Sequence, residues 1–343
     1  MSQRVKDILV DDFWIMPATP EYKDDGIPYI TSKNIKNGII DFTKVNYISQ
    51  EAYNSISRNR PILVGDILIS MIGTLGETAE VKELYGSFYG QNMFLVRINE
   101  NKVNKRYFLD FFKSSSVKRA LEGKQNQSTQ KYLKANHIED LTIPMLKLDE
   151  QKLIAEQLDK LSYIIKLRTD ELKKLDELIK ARFVEMFGDI ILNDKGWKTD
   201  TWSNALKIVN GKNQKAVESD DGEYLICGSG GAMGRATEYL TNENSVIIGR
   251  KGSINKPLLM REKYWNVDTA FGIEPNRKYI NVDYLYMFCV FFNFEQLNKA
   301  VTIPSLTKAD LLNIEMPIPN ILLQEQFADF VKQVEKSKFM KSF

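Results

Sequence analysis

One segment occurs twice in this chain, and it limits the folds that the chain can adopt. Residues 133–165 recur without a gap at residues 306–338, 173 positions later. A repeat of this kind is one structural unit used twice. We therefore predict two similar units in tandem, each ending in a helix. The aligned pairs are Leu133 and Leu306, Ile138 and Leu311, Leu141 and Ile314, Pro144 and Pro317, Gln151 and Gln324, and Ala155 and Ala328.

Length and composition fit this organisation. A chain of 343 residues is too long for one ordinary core and accommodates two domains of about 150 residues each. Its 43% hydrophobic and 11% aromatic residues are typical of a soluble protein with a core in each half. Cys227 and Cys289 lack metal-ligand spacing, so we expect neither a disulfide framework nor a zinc site.

The cellular location and the charge are less restrictive. The sequence has no run of about 18 apolar residues that could span a bilayer, and residues 1–10 lack the pattern of a signal peptide. We therefore interpret the chain as cytoplasmic, with no membrane partner. The formal net charge of +2 neither demands nor excludes a nucleic-acid partner, because the clustering of basic residues decides this.

A long stretch without glycine or proline separates the two halves. It begins at Asp149 and ends before Gly188, and its apolar residues step by four and three. This spacing predicts a helix with an a/d heptad seam, interrupted by Arg168 and Arg182. At 1.5 Å per residue the helix would be on the order of 58 Å long, and we expect it to act as a spacer. The seam residues are Ile154, Leu158, Leu161, Ile165, Leu172, Leu175 and Ile179.

The second copy of the repeat supplies a second helix. Its apolar residues occupy the positions of the first three seam residues, and they are Phe327, Val331 and Val334. We predict that the two helices pair as an antiparallel coiled coil. The alternative is that each helix only covers its own domain. Because the second helix stops near Phe343, we expect either partial pairing or completion by another chain.

Both halves contain predicted strands separated by glycine turns. Gly73 and Gly76 follow an apolar strand in the first half, and Gly249 and Gly252 follow one in the second. An amphipathic helix comes next in each half, and we assign its aromatic residues to the core rather than to base stacking.

The predicted fold class is α+β, with pseudo-two-fold symmetry. Residues 1–145 form a first α/β domain and residues 146–188 the long central helix. Residues 189–317 form a second α/β domain, and residues 318–343 form a C-terminal helix that looks truncated.

The sequence lacks the residue patterns of an enzyme. Gly228–Gly234 has the spacing GxGGxxG, but no helical pattern follows, so it does not fit a dinucleotide-binding fingerprint. His137 is the only histidine, and we interpret it as a solvated or locally bonded residue. We expect no catalytic residue, no metal and no cofactor. The chain is predicted to recognise a target rather than to react with it.

Several segments resemble the specificity subunit of type I restriction-modification systems. These are GIPYITSKNIKNGIIDF, GDILISMIGTLGE, YLICGSGGAMGRATEY, VIIGRKGS, and the repeated segments LKANHIEDLTIPMLKLDEQ and SLTKADLLNIEMPIPNILLQ. The resemblance covers nearly the whole chain in the order domain, helix, domain, helix. The truncated second helix departs from the family pattern.

The resemblance implies two target-recognition domains, each reading one half of a split sequence in double-stranded DNA. It implies that the helices set the length of the unread gap and bind two methyltransferase subunits. Restriction and translocase subunits would join this complex for cleavage. A specificity subunit itself carries no catalytic residues. A rod that separates two similar domains suits such a target, since two separated major-groove faces require fixed spacing.

Candidate DNA contacts lie in loops dense in basic, amide and hydroxyl side chains. Lys and Arg would bind phosphates, while amides and hydroxyls read base edges. In the first domain the candidates are Thr31, Ser32, Lys33, Asn34, Lys36, Lys124, Gln125, Asn126, Gln127, Ser128, Thr129 and Gln130. In the second domain they are Lys212, Asn213, Gln214, Lys215, Arg235, Arg250, Lys251, Asn255 and Lys256.

A second interpretation comes from a different class of protein. The long helix could make the chain a structural or inhibitory scaffold that binds proteins without reading DNA. The two interpretations differ in the salt dependence of DNA binding, which is steep only when a protein neutralises several phosphates.

Overall fold

The computed structural model describes residues 2–16, 20–73, 75–84, 86–123, 132–298 and 303–341. The chain divides into two compact units, residues 1–164 and residues 165–343. Each unit has its own hydrophobic clusters. The boundary between the units falls inside the long central helix, within the segment predicted as the spacer.

The N-terminal unit combines short strands with five α-helices among its described residues. Its strands are β1 Ser2–Arg4, β2 Trp14–Ile15, β3 Ile27–Ile30, β4 Ile35–Lys36, β5 Ile39–Ile40, β6 Asn46–Ile48, β7 Ile67–Ser70, β8 Thr78–Glu80, β9 Tyr89–Gly90, β10 Met93–Val96 and β11 Thr142–Pro144. Its α-helices are α1 Gln50–Ser57, α2 Lys105–Lys113, α3 Ser115–Gly123, α4 Ala135–Glu139 and the first part of α5 Leu148–Phe187.

An antiparallel sheet with strand order β2-β10-β7-β8 lies at the centre of this unit. Successive side chains of a strand point to opposite faces. Ile67 and Ile69 accordingly join a cluster with α2, α3 and the start of α5, whereas Leu68 joins a second cluster with β3 and β9. Burial on both faces explains why β7 and β10 read as continuous apolar runs.

Two further sheets complete the unit. One has the order β6-β3-β9, with β3 antiparallel to β6 and parallel to β9. The other pairs β1 with β11, so the first residues of the chain lie beside the strand that precedes α5. A small hairpin of β4 and β5 follows β3 and packs against β8.

The C-terminal unit repeats this plan. Its strands are β12 Thr199–Thr201, β13 Leu206–Asn210, β14 Tyr224–Gly228, β15 Gly231–Ala236, β16 Ser245–Gly249, β17 Leu258–Met260, β18 Tyr264–Asn266, β19 Ala270–Pro275 and β20 Glu315–Pro317. Its remaining α-helices are α6 Trp202–Ala205, α7 Val282–Phe291, α8 Lys308–Leu312 and α9 Ile321–Lys341. The sheet orders β13-β19-β16-β17, β15-β14-β18 and β12-β20 match those of the first unit.

The repeat therefore covers whole units, although only its last part is free of gaps. The first residues of β11 and β20, Thr142 and Glu315, are 173 positions apart. The first residues of β7 and β16, Ile67 and Ser245, are 178 apart. Loop length differs between the copies upstream of the long helices, and this hides the similarity of the domains in the sequence.

The helix predicted from Asp149 begins at Leu148 and ends at Phe187. Gly188 follows with φ of +76°, the left-handed conformation that glycine adopts most easily. Its middle section, residues 156–170, is exposed on every face. Leu158, Leu161 and Ile165 of the predicted seam have 40%, 55% and 66% of their surface exposed.

The later part of α5 packs against α9. The ring centroids of Phe187 and Phe327 are 5.7 Å apart, and Lys338 forms an ion pair of 2.6 Å with Asp176. Residue numbers fall along one helix as they rise along the other, so the two segments are antiparallel. Four residues of the predicted seam are buried where α5 packs against α9, and they are Ile179, Phe327, Val331 and Val334. Leu172 and Leu175 are half-buried in the C-terminal unit, and Ile154 is half-buried in the N-terminal unit. A coiled coil along the whole seam stays a prediction.

The cysteines, the glycine-rich segment and the histidine singled out in the sequence all lie among the described residues. Cys227 and Cys289 are buried and free, and burial raises the pKa of the Cys227 thiol to about 11. The glycine-rich Gly228–Gly231 segment is the turn between antiparallel β14 and β15, and no helix begins there. His137 lies in α4, where Nδ1 accepts from the backbone N–H of Lys134. Along the described parts of the chain, no helix is both long and apolar enough to cross a membrane.

Candidate nucleic-acid interface

The loop that follows β3 is organised by one buried asparagine. Oδ1 of Asn34 accepts hydrogen bonds from the backbone N–H and the hydroxyl of Thr31. Nδ2 of Asn34 donates to the carbonyl oxygens of Asp41 and Lys44. All the principal bonding capacity of this amide is used inside the loop. Asn34 thus shapes the loop, while Lys33 and Lys36 on either side are exposed.

A cavity of about 830 Å³ opens beside this loop. The predicted residues Thr31, Ser32, Lys33, Asn34 and Lys36 all line it. Five further polar residues line the same cavity and were missed in the sequence, and they are Asp41, Thr43, Lys44, Asn46 and Asn92. Three ammonium groups beside hydroxyls and amides are the combination that binds phosphates and reads base edges.

The charge within this cavity is not uniformly positive. Hydrogen bonds from the Thr43 hydroxyl and backbone N–H hold the pKa of Asp41 below its usual value, so this carboxylate is ionised at neutral pH. A carboxylate among lysines can accept a hydrogen bond from the amino group of cytosine. The cavity therefore presents both donors and an acceptor.

Backbone contacts bring the segment that follows β7 to the same cavity. Ile72 lines the cavity and forms a β-bridge with Tyr132, while Met71 donates to the carbonyl of Asn92. The predicted contacts Lys124, Gln125, Asn126, Gln127, Ser128, Thr129 and Gln130 lie outside the described residues.

The C-terminal unit repeats the backbone bonds of Met71 with different side chains. The backbone N–H of Arg250 donates to Thr269 O, and the N–H of Leu306 donates to Arg250 O. In the first unit, Met71 makes the matching bonds with Asn92 and Leu133. Arg250 and Lys251 therefore occupy the places of Met71 and Ile72, which puts two cations where the first unit has apolar residues.

A second basic segment lies beside this loop. Gly211 donates to Ala270 O, and Lys212 donates to Asn266 O, so the segment that begins at Lys212 runs along the turn between β18 and β19. The same turn holds Arg250 through Thr269. The predicted residues Lys212 and Arg250 thus contact the same turn, and Asn213, Gln214 and Lys215 follow Lys212 along the chain.

Three predicted residues of this unit have other surroundings. The side-chain amide of Asn255 donates to Asn293 and accepts from the backbone N–H of Phe294. Arg235 lies on β15, and its guanidinium donates to the carbonyl of Gly222. Lys256 is exposed after the buried Ile254. Asn255 and Arg235 are thus already engaged within their own unit.

The sequence matches the family described as type I restriction modification DNA specificity domain twice, over residues 14–177 and residues 194–341.

The chain belongs to this family. The first match spans most of the N-terminal unit and continues along α5, and the second lies within the C-terminal unit. The first match contains the loop around Asn34, and the second contains Arg250. The expected organisation, two tandem specificity domains of mixed helix and sheet, is confirmed.

Relatives share the family over different lengths. A putative type I restriction enzyme MjaX specificity subunit of Methanocaldococcus jannaschii is 23% identical over 350 residues, covering 90% of this chain and 80% of that protein. The EcoKI specificity subunit of Escherichia coli is 24% identical over 186 residues, which cover 53% of this chain and 39% of that protein.

Two solved structures share the fold. The type I restriction-modification S subunit of M. genitalium has a TM-score of 0.60 at 13% identity, covering all of this chain and 91% of that one. A chain from a structure of a type I R-M system, solved to explain complex assembly and conformational transition, has a TM-score of 0.59 at 15% identity, covering all of this chain and 92% of that one.

Proposed function

We propose that this chain reads a bipartite sequence in double-stranded DNA, one half-site with each unit, and carries no catalytic residues of its own. The observation that supports this is the pair of backbone hydrogen bonds that recurs at Met71 and at Arg250, with different side chains around it in each unit. A shared frame with different side chains suits two half-sites of different sequence. Lysines in the first unit, and lysines together with Arg250 in the second, would bind phosphates, and neighbouring amides and hydroxyls would read base edges.

The partners follow from the family. We propose that methyltransferase subunits, two per complex, and restriction and translocase subunits act on the DNA that this chain selects, in the cytoplasm and without a membrane partner. The domain limits of 1–145 and 189–317, with helices over 146–188 and 318–343, belong to the same proposal. In it, the exposed middle of α5 acts as the spacer that sets the gap.

An exchange of domains tests this function. Residues 189–317 would be replaced by the matching segment of another specificity subunit, and the methylated sequences would be determined in cells that contain the partner subunits. We expect one half of the methylated sequence to change and the other half and the gap to stay. The matched control replaces residues 1–145, which should change the opposite half. A sequence unchanged in both halves would contradict the assignment.

A protein-binding scaffold is the second candidate, and the exposed apolar residues of α5 favour it. Leu158, Leu161 and Ile165 form a surface that another protein could cover. DNA affinity measured against salt concentration separates the two functions. If Lys36 binds a phosphate, Lys36→Gln should reduce the slope of log K against log salt by about 0.9. Lys160→Gln, on the exposed part of α5, should leave the slope unchanged. A wild-type chain without DNA affinity in the complex would favour the scaffold.

A further inference from the structure

A buried glutamine joins the N-terminal unit to the first turn of α5. The side chain of Gln151 has no exposed surface. Its Oε1 accepts from the backbone N–H of Asn104 at 2.8 Å, and its Nε2 donates to Leu146 O at 2.9 Å and Lys102 O at 3.4 Å. The single acceptor bond and the two donor bonds all reach backbone groups. The long helix is thereby fastened to the loop that leads into α2.

The C-terminal unit contains the same arrangement. Gln324 also has no exposed surface. Its Oε1 accepts from the N–H of Asn281 at 2.8 Å, and its Nε2 donates to Pro319 O at 2.8 Å and Tyr279 O at 2.9 Å. Here the first turn of α9 is fastened to the loop that leads into α7.

A tyrosine adds a second attachment in each unit. The hydroxyl of Tyr107 donates to Pro144 O at 3.0 Å, and that of Tyr284 donates to Pro317 O at 2.8 Å. Each proline ends the strand just before its long helix. We call Gln151 with Tyr107 the first latch and Gln324 with Tyr284 the second latch. Each latch holds the chain on both sides of the short link between strand and helix.

The geometry of the latches recurs although the surrounding residues differ. Lys102 and Leu146 accept in the first latch, where Tyr279 and Pro319 accept in the second. Because the partners are backbone groups, the side chains around them can vary while the amide is retained. An apolar residue of the same size would fill the space but would leave one buried N–H and two carbonyl groups without this partner.

We propose that Gln151 and Gln324 are positioning residues that fix the direction in which each long helix leaves its unit, and so confine recognition to one gap length. This inference rests on the proposed bipartite function. A helix of 40 residues is about 60 Å long, so a pivot of roughly 5° at one end moves the other end by about 5 Å. That displacement exceeds the rise of one base pair, about 3.4 Å. A small change in the helix direction at a latch would therefore let the complex accept a gap that is one base pair too long or too short.

Methylation by the whole complex tests the latches. Gln151→Met and Gln324→Met keep the approximate size of the side chain and remove its hydrogen bonds. The matched controls are Gln157→Met and Gln333→Met, which make the same change at exposed positions of α5 and α9. Genome-wide sequencing of methylated sites reports the two half-sequences and the gap separately. We expect the latch variants to keep both half-sequences and to raise methylation at gaps one base pair longer or shorter by at least tenfold over wild type.

The outcomes distinguish positioning from a purely structural role. A latch variant that methylates less overall but only at the native gap would overturn the inference. Should Gln151→Met fail to fold, Tyr107→Phe, which removes one hydroxyl, takes its place, with an expected rise of at least threefold. No rise in that variant would equally overturn the inference. If the wild-type complex methylates a sequence without two separated halves, the proposed function fails instead of the latch.

Discussion

At the scale of single residues, the N-terminal unit uses asparagine in two distinct ways. Asn34 is buried and satisfies its bonds within a loop, whereas Asn46 is exposed and lines the cavity beside that loop. The first determines where the loop lies, and the second is free to face a ligand. Residue type alone does not separate these roles, since both side chains carry the same amide.

The two roles predict opposite results for the same substitution. Asn34→Ala leaves the carbonyls of Asp41 and Lys44 without their donor, which should reduce the free energy of unfolding by about 1–3 kcal/mol. Asn46→Ala removes an exposed amide and should leave stability unchanged while it weakens DNA binding. Urea denaturation and DNA titration of both variants check this. Equal stability of the two variants would contradict the assigned roles.

The sequence predicted only part of this cavity, for a physical reason. The segment from Thr31 to Lys36 stands out because its basic, amide and hydroxyl residues are adjacent. Asn92 lies about 60 positions later and reaches the same place only because β3 pairs in parallel with β9. Such a pairing leaves no local signal. The inward direction of Asn34 was equally hidden, because it depends on carbonyl groups supplied by the following hairpin.

At the scale of elements, the heptad pattern located α5 well but misplaced the residues that pack in its last turns. The pattern continues from Ile179 to Arg182, whereas the structure buries Ile179, Phe183 and Phe187. Arg182 instead lies over the ring of Phe330. A straight helix drifts away from a strict seven-residue repeat, so a seam extrapolated over several turns moves off the contact face.

The packing of α5 on α9 predicts a large loss of stability when its central ring is removed. Phe183 is fully buried and lies within 6 Å of the rings of Phe187, Tyr284 and Phe327. Phe183→Ala should reduce the free energy of unfolding of the C-terminal unit by about 3–5 kcal/mol. Val184→Ala, the exposed neighbour, should change it by less than about 0.5 kcal/mol. Denaturant unfolding followed by circular dichroism measures both, and similar losses would refute the packing.

At the scale of the whole molecule, the exposed middle of α5 offers a place where length can change without disturbing either core. Residues 156–170 are exposed on every face, and partial burial begins again at Leu172 and Leu175 before the buried Ile179. The sequence predicted this division poorly, because apolar residues continue through the exposed part. Heptad spacing reports that a face is apolar and does not report whether anything covers it.

An insertion there tests the spacer role. Four helix-forming residues inserted after Arg168 add about 6 Å and a rotation of about 40°. We expect the recognised gap to lengthen by about two base pairs, with both half-sequences unchanged, as measured by sequencing methylated sites. The same four residues appended after Phe343 should leave the gap as it was. An unchanged gap after the internal insertion would rule out a spacer.

The pairing of β1 with β11, and of β12 with β20, has a consequence for chain topology. In each unit the strand by which the chain enters lies against the strand by which it leaves. In each unit the first and last strands are therefore neighbours, and so are the points at which the chain enters and leaves the sheets. Proteins with adjacent ends tolerate circular permutation, in which the old ends are joined and new ones are opened in an exposed loop. The order of the elements along the polypeptide can thus be rearranged while the spatial arrangement within each unit is preserved.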